Sequence, residues 1–224
     1  MSAAVQVGVG GMEKFARALG WARSQQFPSK PCEHHRRATE ELWGLIEPLH
    51  ISSVLDIGAG ESYGALRNIL TGNGIMVGST DIIADNVEPM DAHDLLFPDG
   101  SWDLVVARHM LEHVLAPYIV LGEMVRVSSR WLLVIVPEDI ARWRYWGGHL
   151  HVLPRRSWEV MFWLLRLRVA YFGVGDFSQV PGADHDLEWR WILEKGVLPP
   201  LQGHEWNGYY PGPWPELAPA GWQE

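Results

Sequence analysis

Residues Val54 to Gly60 read Val-Leu-Asp-Ile-Gly-Ala-Gly, a branched apolar run that carries an acid near its end and closes on two glycines. Apolar residues on both sides of Asp56 leave no polar face, the pattern of a strand covered on both sides in a parallel sheet. Gly58 and Gly60 remove side chains where the chain must turn sharply and where a ligand can approach the backbone. The segment therefore commits the chain to an α/β architecture in which a strand end is a binding site.

The rest of the sequence keeps the alternation that such a fold needs. An amphipathic helix from Arg36 to Leu49, with Leu42, Leu45, Ile46 and Leu49 apolar, leads into the strand. A short helix follows from about Ser62 to Leu70, closed by Gly72-Asn73-Gly74, and Ile75 to Asp81 is a second apolar run ending in an acid. Leu104 to Ala107 reads as a strand, Pro117 to Val127 as a helix, and Trp131 to Val136 as a strand ended by Pro137. Arg156 to Leu165 reads as a helix, with Val169 to Phe172 and Trp189 to Leu193 as two closing strands. Repeated strand–helix alternation predicts a doubly wound, mainly parallel sheet. Only Ile82 to Met90 lie between Asp81 and Asp91, whereas a parallel crossover takes about 10 to 12 residues or more, so any helix there is absent or a single turn.

Spacing discriminates between ligands. The dinucleotide fingerprint G-x-G-x-x-G wants a third glycine three places after the second, where this chain has Tyr63, and Gly64 comes one residue late. Asp81 lies about 20 residues beyond the glycine turn, where α/β nucleotide sites place a carboxylate that accepts both ribose hydroxyls. The plainer role for Asp81 is to cap the next turn. Downstream, the run from Met90-Asp91-Ala92-His93-Asp94 through Pro98-Asp99-Gly100 to Trp102-Asp103-Leu104-Val105-Val106 combines a turn with the next strand.

Taken in this order, the segments resemble class I S-adenosylmethionine-dependent methyltransferases of the small-molecule, type 11-like group, whose first motif is apolar-Asp-x-Gly-x-Gly. The resemblance implies a Rossmann-like, doubly wound, mainly parallel sheet with a C-terminal antiparallel hairpin, and S-adenosyl-L-methionine as cofactor. It implies a cofactor pocket formed by Asp56, Gly58, Ala59, Gly60, Asp81, Ile82, Asp91, Ala92, His93 and Arg108. Within it Asp81 meets the ribose, and Asp91 with the backbone of Ala92 or His93 meets the adenine edge. An acidic strand end suits a cationic ligand.

After the Leu104–Ala107 strand comes Arg108-His109-Met110-Leu111-Glu112-His113, at the carboxyl edge of the sheet where α/β ligands bind. Methyl transfer to a hydroxyl, phenol or protonated amine is helped by a base, and histidine suits that task near neutral pH. His109 is the first candidate and His113 the second, with Glu112 at helical spacing to orient a ring. Packing and local hydrogen bonds at the helix start are the plainer role for these residues. The same five residues match H-x-x-E-H, which in a zinc peptidase makes His109 and His113 ligands and Glu112 the base, given a helix and a third ligand nearby. Cys32, His34 and His35 contain one thiol and no Cys-x-x-Cys partner, so no metal is expected there. Trp143, Tyr145, Trp146, His149 and His151 fall where a loop would cover an acceptor, with aromatics able to stack on a flat or sugar-like molecule.

Composition limits the alternatives. The chain has 224 residues, 47% of them hydrophobic, enough for one well-buried domain. Residues 1–198 read as that domain, with 1–50 as an N-terminal helical cap. The Pro/Trp-rich stretch 199–224 has no period and reads as a tail. A net charge of −9 argues against long nucleic acid as partner and leaves a small-molecule acceptor as the expectation. No apolar run is long enough for a membrane span, the N-terminus lacks a basic signal region, and one cysteine permits no internal disulfide, which together point to the cytoplasm. A binding protein on the same scaffold that transfers no methyl group is the alternative, because fold alone does not guarantee chemistry.

Overall fold

In the computed structural model, residues 33–59, 63–82, 88–138, 149–179 and 187–196 are described. They form a seven-stranded sheet in the order β3-β2-β1-β4-β5-β7-β6. Chain order runs α1 (Glu33–Ile46), a 3-10 turn (Glu47–Leu49), β1 (Ser53–Ile57), α2 (Tyr63–Gly72), β2 (Met76–Asp81) and β3 (Glu88–Pro89). It continues with β4 (Trp102–Arg108), α3 (Pro117–Val127), β5 (Ser128–Pro137), α4 (Arg155–Leu164), β6 (Leu167–Asp176) and β7 (Leu187–Lys195). Strands β3, β2, β1, β4 and β5 are parallel neighbours, and β7 lies antiparallel to both β5 and β6. The expected parallel sheet with its closing antiparallel hairpin is present.

Side-chain alternation along the strands separates two apolar layers. Leu55, Val105, Ala107, Leu132, Val134 and Trp191 pack toward α3 and α4, meeting Val120, Leu121, Met124, Trp158 and Phe162. On the other face Val54, Leu104, Val106, Leu133, Ile135 and Ile192 meet Leu42 and Ile46 of α1 and Leu66 and Leu70 of α2. A strand covered on both faces has no polar register to show, which is why β1 is buried along its whole length. Each fully buried large side chain contributes about 1.5–3 kcal/mol, so the sheet is fixed before any residue at its edge is considered.

Boundaries moved where local chemistry decides them. The first helix ends at Ile46 and tightens into the 3-10 turn because Pro48 has no N–H for the helical ladder, and His50 then takes a left-handed φ of 50°. Strand β5 begins at Ser128, ahead of the apolar run, because Ser128 pairs with Trp102 across a register shift in β4. The two-residue β3 was not expected. It pairs parallel to β2 directly after the short crossover, and Met90 N–H donates to the Asp81 carbonyl at 2.9 Å. A proline in this strand is tolerated at the sheet edge.

Asp103 lies at the amino edge of β4, far from the ligand side. Its Oδ2 accepts from Ser52 N–H (2.8 Å), Ser52 Oγ (2.6 Å) and Ser53 N–H (3.1 Å), tying β4 to the start of β1. Among the described residues no helix is long and apolar enough to cross a membrane. The stretches 1–32 and 199–224, and with them Cys32, lie outside the described residues.

Candidate functional site

Strand order makes the site. β1 has β2 on one side and β4 on the other, so successive connections leave its carboxyl end in opposite directions and open a crevice there. Register sets Ile57 beside both Thr80 and Ala107, which brings the next residues, Gly58, Asp81 and Arg108, to one level. The N–H groups of Gly58 and Ala59 both donate to the Thr80 carbonyl, at 2.8 and 3.2 Å. Gly58 adopts φ 67°, and a Cβ there would overlap the Met110 side chain, so this position requires glycine for two separate reasons. Ile82 directly follows Asp81, while Gly60 lies outside the described residues.

Asp56 is 7% exposed. Burial raises its pKa to about 6, the nearby Arg108 charge works against that rise, and Asp81 adds to it. An acid held so far above its ordinary range is poised to meet a cationic ligand.

Asp91, Ala92 and His93 follow β3. Asp91 Oδ1 accepts from the His93 backbone N–H (2.9 Å) and faces His93 Nδ1 at 2.7 Å. His93 Nε2 accepts from Ala116 N–H at 3.2 Å, so the ring proton sits on Nδ1 and points to Asp91. The hydrogen bond from His93 holds the Asp91 carboxyl below its ordinary range despite partial burial. One carboxylate oxygen is thus committed to shaping the turn at the place where the resemblance puts adenine.

His109, the first residue after β4, takes a left-handed φ of 49°. That kink sends its ring across the end of β5 to β7, where Nε2 lies 2.6 Å from Glu188 Oε2. Nδ1 lies 3.4 Å from Glu112 Oε1. Burial works to lower the His109 pKa, but hydrogen bonds and charge from Glu112 and Glu188 outweigh it and push it up to about 9. Glu188 continues inward: its Oε1 accepts from Arg190 Nε (2.6 Å), Arg190 Nη1 donates to Glu41 Oε2 (2.9 Å), and Glu41 Oε1 accepts from Arg37 Nε (2.9 Å). A line of alternating charges thus joins the carboxyl edge of the sheet to α1. Glu188, Arg190 and Glu41 are functional neighbours that no motif of the sequence marks. The signal was present, since an acid and a base two apart in a strand of Trp, Ile and Leu must share a face and pair if buried.

The stretch from His109 to His113 is a turn, closed by His113 N–H on the Met110 carbonyl, and α3 begins only at Pro117. The expected helical spacing of His109, Glu112 and His113 is therefore corrected, and the helical presentation needed by the zinc-peptidase signature is not formed. Glu112 nevertheless sits between the two rings, with Oε1 3.8 Å from His113 Nε2. His149 joins them: its ring centroid is 4.9 Å from that of His113. Leu150 and His151 N–H both donate to the Glu112 carbonyl, at 2.8 and 3.0 Å, so the segment before α4 is pinned beside the turn after β4. Trp143, Tyr145 and Trp146 lie outside the described residues.

A family model for a methyltransferase domain matches residues 14–169. The chain belongs to the methyltransferase domain family. The methyltransferase-domain chain has no significant match among curated protein sequences. Solved structures share its fold at low identity. A SAM-dependent methyltransferase from Archaeoglobus fulgidus is 16% identical with a TM-score of 0.57, covering 71% of this chain and 94% of that one. Magnesium protoporphyrin IX methyltransferase from Synechocystis PCC 6803, with bound SAM, is 14% identical with a TM-score of 0.57, covering 88% and 100%. The [4+2]-cyclase SpnF is 17% identical with a TM-score of 0.60, covering 85% and 96%.

S-adenosylmethionine is the cofactor of this family. The carboxyl edge of the methyltransferase domain fits it on chemical grounds. A buried carboxylate with a raised pKa stands beside a second acid, and a glycine with no space for a Cβ lines the strand end between them.

Proposed function

We propose that this protein transfers a methyl group from S-adenosylmethionine to a small-molecule acceptor. The observation that carries the proposal is the convergence of Asp56, Gly58, Asp81 and Arg108 at the carboxyl ends of three adjacent parallel strands. In this assignment Asp56 and Arg108 complement the charged amino-acid end of the cofactor, and Asp81 accepts the ribose hydroxyls. Gly58, Ala59, Gly60 and Ile82 supply close backbone, and Asp91, Ala92 and His93 form the adenine edge. When bound, the cofactor supplies an electrophilic methyl group for an in-line displacement.

The remaining work of the chain is alignment and exclusion of water. Both ring nitrogens of His109 face carboxylates, so the ring presents no lone pair to an acceptor and serves to hold the edge of the site. His113, His149 and His151 line the acceptor side, since the segment that carries the last two is pinned to the turn after β4. A net charge of −9 supports a small acceptor over a long polyanion.

Calorimetry with S-adenosylmethionine and S-adenosylhomocysteine tests cofactor binding, and no heat at sub-millimolar concentration would sink the proposal. Labelled methyl groups should then enter the small-molecule fraction of an extract. Label found only in protein or nucleic acid would overturn the acceptor class.

A further inference from the structure

We propose that Glu112, His113 and His149 form a binding site for one divalent transition-metal ion. One donor atom from each residue, a carboxylate oxygen and two imidazole nitrogens, lies within 4.8 Å of the others. Ligands held about 2.0–2.2 Å from a common zinc ion stand roughly 3–4 Å apart, so side-chain rotations of about an ångström close the set. The fold fixes both segments that supply these donors. Leu150 and His151 N–H clamp the Glu112 carbonyl, and His151 Nε2 lies 3.2 Å from the Leu115 carbonyl.

A second observation points to a ligand. Glu112 is 1% exposed, yet among the described residues neither of its carboxylate oxygens makes a hydrogen bond of normal geometry. The imidazoles of His109 and His113 approach it only at 3.4 and 3.8 Å. A buried carboxylate met only by such long contacts keeps part of its desolvation cost, and a cation shared with two histidines offsets it. His109 Nδ1 faces the same carboxylate, 3.4 Å from Oε1, and would orient it, as outer residues commonly orient metal ligands.

Two nitrogen donors and one oxygen donor suit zinc, iron(II) or cobalt(II) better than magnesium or calcium, which prefer oxygen alone. Three protein ligands leave a position for solvent or for an oxygen of a small molecule. That this position faces the methyl acceptor rests on the function proposed above; metal binding itself does not.

The test is titration of Co2+ into the chelator-treated full-length protein, followed by visible absorption and calorimetry, with Zn2+ as competitor. One equivalent should bind, give d–d bands and be displaced by Zn2+. His149→Ala and His113→Ala should each weaken binding roughly 10- to 100-fold while circular dichroism stays unchanged. His149→Ala carries the most weight, because Glu112→Gln alters a buried group and risks the fold. No stoichiometric binding below millimolar Co2+ overturns the proposal, as does an affinity in both histidine variants equal to that of the parent protein, which would assign the ion to surface histidines. Stoichiometric Co2+ binding in a protein that ignores S-adenosylhomocysteine would uphold this site and refute the cofactor assignment alone.

Discussion

Met110 lies against the α-carbon of Gly58, so the turn that ends β1 is closed by a residue from the turn that follows β4. Gly58→Ala meets two obstacles, a φ of 67° and a Cβ only 2.9 Å from Met110 Cβ. Left-handed strain and overpacking together should cost about 2–4 kcal/mol in urea unfolding. The pair should be coupled: adding Met110→Ala to Gly58→Ala relieves the overlap and leaves the dihedral strain. Strictly additive effects of the two substitutions would show that Met110 does not close the turn.

Asp56 sets a pH dependence with a definite sign. Its folded pKa of about 6 lies above the ordinary 3.8, so the folded state binds the proton more tightly than the unfolded chain. Ligand-free stability therefore declines as pH rises from about 4 to 6 and is level above that, a change of roughly 2–3 kcal/mol. Asp56→Asn should flatten this part of the profile and raise ligand-free stability at pH 8. A cationic ligand favours the carboxylate, so S-adenosylmethionine affinity should rise with pH toward 6 in the parent protein and lose that rise in the variant. An unchanged profile in Asp56→Asn would show that another group is responsible.

Asp81→Ala should weaken S-adenosylmethionine binding by roughly 1.5–3 kcal/mol, the worth of hydrogen bonds to a charged acceptor. Adenosine-free sulfonium compounds have no ribose to lose, and their affinity should be the same in both proteins. Equal affinity for S-adenosylmethionine before and after the substitution would refute the ribose assignment.

Glu188 bridges two cations, His109 at the site and Arg190 in the sheet, and is 2% exposed. Glu188→Gln leaves Arg190 without its nearest countercharge, which should cost about 3–5 kcal/mol and on the order of 10 °C in Tm. Glu188→Gln combined with Arg190→Met removes the unbalanced charge and should recover part of the loss. A Tm shift of only a degree or two for Glu188→Gln would mean the charge line contributes little to holding His109.

The parallel strands were legible because burial on both faces writes itself as unbroken apolar runs, as in Val54–Ile57 and Leu104–Ala107. Helix α3 was legible to the residue, because Pro117 fixes its start and polar Ser128 follows its last apolar turn. The ends of β6 and β7 were not. Their outer residues are partly exposed and gain order from pairing with each other across the hairpin, which no single strand displays. At the site, Gly58 and the neighbouring acids followed from the motif, whereas the partners of His109 did not. Glu188 stands 79 residues away in sequence and is placed by a strand order that skips from β5 to β7. The turn at His109 departs from the helical spacing expected of it, because charge spacing alone does not reveal a left-handed residue.

That skipped order also sets a schedule for synthesis. The strand seated between β5 and β6 is β7, which leaves the ribosome after both of them. From the emergence of Pro137 until that of Lys195, roughly 3 to 12 s at about 5–20 residues per second, β5 presents an open edge and β6 has no neighbour to join. Trp189, Trp191 and Leu193 arrive last and complete one side of the core. The nascent chain is therefore most vulnerable to association with other chains in the interval before β7 emerges, with its cofactor edge already assembled and its far edge still bare.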